Sequence, residues 1–167
     1  ISSAASDVYK RQILEILKLN MVDIKVRKID DSVDLPAYET SSSAGMDIRA
    51  FLPNGNVDIA PQQTKLIGTG LIFEIPDGLE VQIRPRSGLA LKNSITVLNS
   101  PGTIDADYRG EIKVILINHG SNNFEVTNKM RIAQMVVTRY EKINFKLVSD
   151  LNTTKRGSGG FGSTGTK

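Results

Sequence analysis

The chain has 167 residues, 40% hydrophobic and 23% charged, the balance of one soluble globular domain with enough length to bury a core. It has no cysteine and one histidine, His119, which excludes a disulfide framework, a thiol nucleophile and a Cys- or His-rich metal site. A net charge of +3, few aromatics and no tryptophan speak against stable nucleic-acid binding, and no apolar run approaches the roughly 20 residues of a membrane helix.

Residues 1–20 read unlike the rest. Ile13, Leu14, Ile16, Leu17 and Leu19 form a short apolar patch behind a polar lead, with no small-residue cleavage site after it. This stretch is expected to be a non-native or disordered leader, with Met21 as the natural start. From Met21 the pattern becomes short and period-two. Val22, Ile24 and Val26 alternate with charged residues, and Leu79, Val81 and Ile83 with Glu80, Gln82 and Arg84. Leu66 to Ile75, Ile95 to Leu98, Ile112 to Ile117, Ile132 to Tyr140 and Phe145 to Val148 read as further β runs. Turn signals such as Pro53-Asn54-Gly55-Asn56, Pro76-Asp77-Gly78 and Ser100-Pro101-Gly102 separate them. An all-β domain, a jelly-roll-like barrel or sandwich, is expected over residues 21–151. Residues 152–167, rich in Gly, Ser and Thr, have the composition of a flexible arm.

Five patches depart from ordinary β-protein composition. They are Ala44-Gly45-Met46-Asp47-Ile48-Arg49-Ala50; Arg84-Pro85-Arg86-Ser87-Gly88-Leu89-Ala90; the stretch from Asn99 to Glu111; Arg131-Ile132-Ala133-Gln134-Met135; and the stretch from Arg156 to Gly165. In this order they resemble the motifs of the trimeric deoxyuridine triphosphatase (dUTPase) family, from Met21 to the C-terminus. One departure is Asn93-Ser94, where relatives often carry a glycine; Asn93 is expected to keep the turn by adopting a left-handed backbone.

The resemblance implies hydrolysis of dUTP to dUMP and pyrophosphate in a homotrimer whose active sites draw patches from different subunits. Such an enzyme limits uracil in DNA, supplies dUMP for dTMP synthesis and works in the cytoplasm, or in the nucleus or host cytosol for a eukaryotic or viral source. Hydrolysis of a triphosphate needs a base for water and donors for phosphate charge. The resemblance assigns the base to Asp105, expected at a hairpin tip where partial burial would strengthen it. It places Tyr108 flat on the deoxyribose, where the ring leaves no room for a 2′-hydroxyl. Main-chain groups from Asn99 through Gly102, Thr103 and Ile104 would then read uracil. Arg86, Ser87, Gly88 and Gln134 fall to the phosphates. Asp47 resembles the aspartate that holds water around Mg²⁺, an ion that needs few carboxylates when phosphates ligate it.

Asp107 and Arg109 read as an ion pair bracing the hairpin, and Arg49 and Arg131 as structural ion-pair partners. In the arm, Gly157 to Thr164 approximates a phosphate-binding loop, but Ser163 stands where the lysine must be and no following helix is expected. The resemblance instead makes it a lid: Phe161 stacks on uracil, while Arg156, Gly162, Ser163 and Thr164 close over the phosphates. His119, in a turn away from every patch, reads as a bystander. An enzymatic rival is a related dCTP deaminase, which would need a glutamate where Asp105 stands. A non-catalytic regulatory or capsid-like jelly roll is the other.

Overall fold

The computed structural model describes residues 21–161, so the expected leader, residues 1–20, lies outside it. The architecture is all-β, of the jelly-roll type. In chain order the elements are β1 (Lys25–Lys28), β2 (Met46–Arg49), β3 (Val57–Ile59), β4 (Thr64–Gly68), β5 (Leu71–Glu74), β6 (Leu79–Arg84), helix α1 (Ser87–Asn93), β7 (Ile95–Val97), β8 (Gly102–Ile104), β9 (Lys113–Asn118), β10 (Phe124–Val126) and β11 (Arg131–Arg139). A four-stranded sheet has the order β2-β11-β6-β8 and a three-stranded sheet the order β4-β9-β7; β1 pairs with β5 and β3 with β10. Every one of these pairings is antiparallel.

Period-two patterning explains the buried faces. Along β6, Leu79, Val81 and Ile83 point into the core while Glu80, Gln82 and Arg84 are more exposed. Along β9, Val114 and Leu116 are buried, and so is Asn118. That asparagine is satisfied on both ends: its Nδ2 donates to the carbonyls of Ile59 and Asn122, and its Oδ1 accepts from the Gly120 amide, each at 2.8 Å. Burying an amide side chain with all these partners costs little and pins the following loop.

Three expectations need correction. The run from Leu66 to Ile75 is two strands in different sheets, because Thr69 and Gly70 turn the chain between β4 and β5. Gly70 has φ +72°, and a Cβ there would collide with Val33 and press on Phe51, so only glycine fits. Phe145 to Val148 forms no strand; it has the apolar alternation but no partner strand among the described residues, and Phe145 and Leu147 are almost fully exposed. At the end of α1 the left-handed residue is Ser94, with φ 56° and ψ 29°, rather than Asn93. Among the described residues no helix is long and apolar enough to cross a membrane.

Candidate active site

The four-stranded sheet gathers strands from four of the five patches. Register places Gln134 of β11 opposite both Asp47 of β2 and Arg84 of β6, so these three form one row across the sheet. β6 ends at Arg84, and after two intervening residues the chain enters α1 at Ser87, with Arg86 as the residue just before the helix.

Asp47 is the hub of this row. Its side chain is 8% exposed. Oδ1 accepts from Arg86 Nε at 3.0 Å and Gln134 Nε2 at 3.3 Å; Oδ2 accepts from Arg131 Nη1 at 3.1 Å and Arg86 Nη2 at 3.4 Å. Arg86 also donates to the Arg131 carbonyl at 3.3 Å. One carboxylate thus sets the position of two guanidinium groups and an amide, all of which can turn donors toward an anion. Arg131 is an ion-pair partner of Asp47, as expected. Arg49 instead donates to the Lys129 carbonyl at 3.0 Å.

Asp105 and Tyr108 lie off this sheet, on the segment that follows β8. Their segment leaves β8 in the four-stranded sheet and re-enters as β9 in the three-stranded one, so it is a crossing between sheets rather than a hairpin tip. Ile104 pairs with Val81 at one end, and at the other Val114 packs its side chain into the core, which fixes both ends on different layers. The turn closes with the Tyr108 amide donating to the Asp105 carbonyl at 3.2 Å. The Tyr108 hydroxyl donates to the Glu111 carbonyl at 3.1 Å. Arg109 braces the turn through the carbonyls of Ala106, at 2.6 Å, and Tyr108, at 3.0 Å; the expected Asp107–Arg109 ion pair does not form. These carbonyls offer the guanidinium short, fixed acceptors within its own turn.

A cavity of about 280 Å³ opens beside the turn, lined by Asn99, Thr103, Ile104, Asp105 and Tyr108 of the third patch. Leu66, Glu111, Lys113 and Ile115 line it too, and of these only Glu111 belongs to a patch; the others are alternate residues of β4 and β9 with no chemical signature of their own. Among the described residues β8 is an edge strand, so one row of its main-chain N–H and C=O groups has no strand partner. Gly102 lets the backbone pass close to Asn99, whose Nδ2 would stand 3.3 Å from a Cβ there. Asp105 itself is exposed, so its own chain does not supply the burial expected for it.

The site residues therefore form two groups. Asp47, Arg86 and Gln134 interlock, with Ser87 and Gly88 opening the adjacent helix, while Asn99, Thr103, Asp105 and Tyr108 share a cavity that none of the first group lines. The described part of the arm, up to Phe161, joins neither group. Arg156 donates to the Gly159 carbonyl at 2.7 Å, Phe161 is fully exposed, and Gly162, Ser163 and Thr164 lie outside the described residues. His119 lines a separate polar loop pocket. Among the described residues no three His, Asp or Glu side chains cluster tightly enough to hold a metal. The donors present fit an ion that arrives on ligand phosphates and meets one carboxylate, Asp47; they do not fit an ion held by protein alone.

A family model described as dUTPase matches residues 31–165. Deoxyuridine 5′-triphosphate nucleotidohydrolase from Roseobacter denitrificans is 60% identical over 136 residues, covering 81% of this chain and 90% of the relative. The enzyme of that name from Rickettsia bellii is 54% identical over 148 residues, covering 88% and 98%. Among solved structures, the Staphylococcus bacteriophage 80alpha dUTPase with dUpNHpp superposes with a TM-score of 0.76 at 23% identity, covering 87% of this chain and 99% of that one. The dUTPase of S. aureus phage phi11, described with a coordinated structural Mg(II) ion, gives 0.69 at 20% identity, covering 79% and 100%.

Proposed function

This chain belongs to the dUTPase family, and from that premise we propose that it hydrolyses dUTP to dUMP and pyrophosphate, as a homotrimer with shared active sites. The observation that carries the reading is the cavity in which Asp105, Tyr108 and the free edge of β8 meet. Fixed backbone donors and acceptors suit uracil and leave buried groups unpaired against cytosine, whose pattern is reversed. Tyr108 closes the sugar side of the cavity against a 2′-hydroxyl. Asp105 accepts a proton from the water that attacks the α-phosphorus, and that water's oxygen displaces pyrophosphate.

Phosphate charge falls to the first group. Arg86, Gln134 and the amides at Ser87 and Gly88 supply donors. Asp47 would hold the waters of Mg²⁺, and the ion, when bound with substrate, supplies neutralisation of the triphosphate charge. Residues 152–167 act as the arm: Phe161 stacks on the base, and Arg156 with Gly162, Ser163 and Thr164 closes over the phosphates.

Separation of the two groups within one chain supports shared sites, with the pocket of one subunit completed by the Asp47 group of a neighbour. Exposed apolar surface supports assembly as well. Ile143, Phe145, Leu147 and Leu151 stand in water, and an open groove of about 370 Å³ is lined by residues such as Ile24, Leu35, Phe73 and Val137. On this reading the enzyme works on the soluble nucleotide pool in the cytoplasm, or in the nucleus or host cytosol. There it keeps uracil out of DNA and supplies dUMP for dTMP synthesis. The test is direct: protein with Mg²⁺ releases pyrophosphate and dUMP from dUTP, and no ammonia from dCTP. Ammonia release from dCTP would favour the deaminase class instead, and inertness toward both would favour a regulatory jelly roll.

A further inference from the structure

Tyr108 is anchored on one side only. Its hydroxyl is tied to the Glu111 carbonyl, and Glu111 is fixed in turn, its Oε1 accepting from the Gly70 amide at 2.9 Å and its Oε2 lying 3.5 Å from Lys113 Nζ. Between the two residues the ring lies across Gly110. A Cβ on Gly110 would fall 2.5 Å from Tyr108 Cζ and 2.9 Å from Cε2, and closer still to the hydroxyl. The backbone at Gly110 is outside the left-handed region, and the three atoms nearest a Cβ there all belong to the Tyr108 side chain, so it is the ring that demands a glycine.

We infer that Gly110 is a specificity-determining position, the seat that lets the Tyr108 ring lie where it rejects a 2′-hydroxyl. This rests on the proposal that Tyr108 faces the sugar. A methyl group at 110 leaves the fold intact but must push the ring off its seat. Tyr108 is 45% exposed, so the ring has open space into which it can move. A shift of about 1 Å is enough to spoil a steric filter, because contact repulsion is steep and catalytic geometry is equally sensitive. Gly110 therefore acts through Tyr108 as a positioning residue and touches no substrate itself.

The experiment compares four full-length proteins: wild type, Tyr108→Ala, Gly110→Ala and the double variant. For each, kcat/KM is measured with dUTP and with UTP, alongside the melting temperature. The dUTP-over-UTP ratio should fall about tenfold or more in both single variants, mainly through a raised kcat/KM for UTP as the clash with its 2′-hydroxyl is relieved. The double variant should be no less selective than Tyr108→Ala, since a seat without a ring has no function. Any melting-temperature loss caused by Gly110→Ala should vanish when Tyr108 is also alanine. A wild-type ratio in Gly110→Ala, or a further fall in the double variant, overturns the inference while leaving the role of Tyr108 standing. A wild-type ratio in Tyr108→Ala overturns both.

Discussion

Asp47, Arg86 and Gln134 stand on or beside paired strands and bond to one another through their side chains, whereas Asp105, Tyr108 and Arg109 stand on a sheet-crossing turn held by main-chain carbonyls. The first group is complete in a lone chain. Its charges are mutually compensated and its rotamers fixed before any ligand arrives. The second is exposed and rests on the shape of one turn and the seat at Gly110. The difference fits the two tasks we propose for them. Phosphate recognition tolerates a charged cluster built for stability, while recognition of base and sugar requires open backbone and a cavity that something else must close.

The sharpest way to break this contrast is Asp105→Asn. The side chain is exposed and makes no hydrogen bond within the described residues, so folding should be unaffected. Turnover should fall by roughly 10²–10⁴, with dUTP binding kept within about tenfold, because the amide keeps the shape but cannot take the proton. Near-normal turnover would move the base elsewhere, Asp107 being next. The opposite pattern is expected at Asp47. Asp47→Ala strips the hub from Arg86 and Arg131, and should lower stability by about 1–3 kcal/mol as read from denaturant midpoints. Arg131 is half-exposed, so screening keeps the cost at the lower end. An unchanged midpoint would mean the cluster is not the rigid half of the site. The smallest effect lies away from both groups, at the C-terminal end of α1 beside the His119 loop. Ser94→Gly relieves a left-handed backbone and should add about 1 kcal/mol of stability without changing the rate. A lower melting temperature would show that the serine side chain holds the turn.

Much of this was legible in the sequence where local pattern decides. Leu79, Val81 and Ile83 announce β6 by alternation alone, and Asp47, Arg86, Asp105, Tyr108 and Gln134 stand in recognisable patches. What escaped depends on pairing between distant segments. The link of Asp47 to Gln134 follows from β2–β11 register, and no spacing in the chain encodes it. Leu66, Lys113 and Ile115 enter the cavity because β4 pairs with β9, although each reads as an ordinary strand residue. Phe145 to Val148 misleads for the reverse reason: its alternation is real, but no strand of the described chain pairs with it.

The central claim is that the pocket of one chain is completed by the polar row of another. Subunit complementation tests it most directly. Asp105→Asn and Arg86→Ala proteins, each nearly inactive alone, are unfolded, mixed in equal amounts and refolded together, and dUTP hydrolysis is assayed with Mg²⁺. If sites are shared, about one quarter of those in randomly mixed trimers pair an intact Asp105 with an intact Arg86, and activity should rise to about that fraction of wild type. If each chain carries its own complete site, every site in the mixture is defective. Activity that stays at the level of the separate variants would contradict the account.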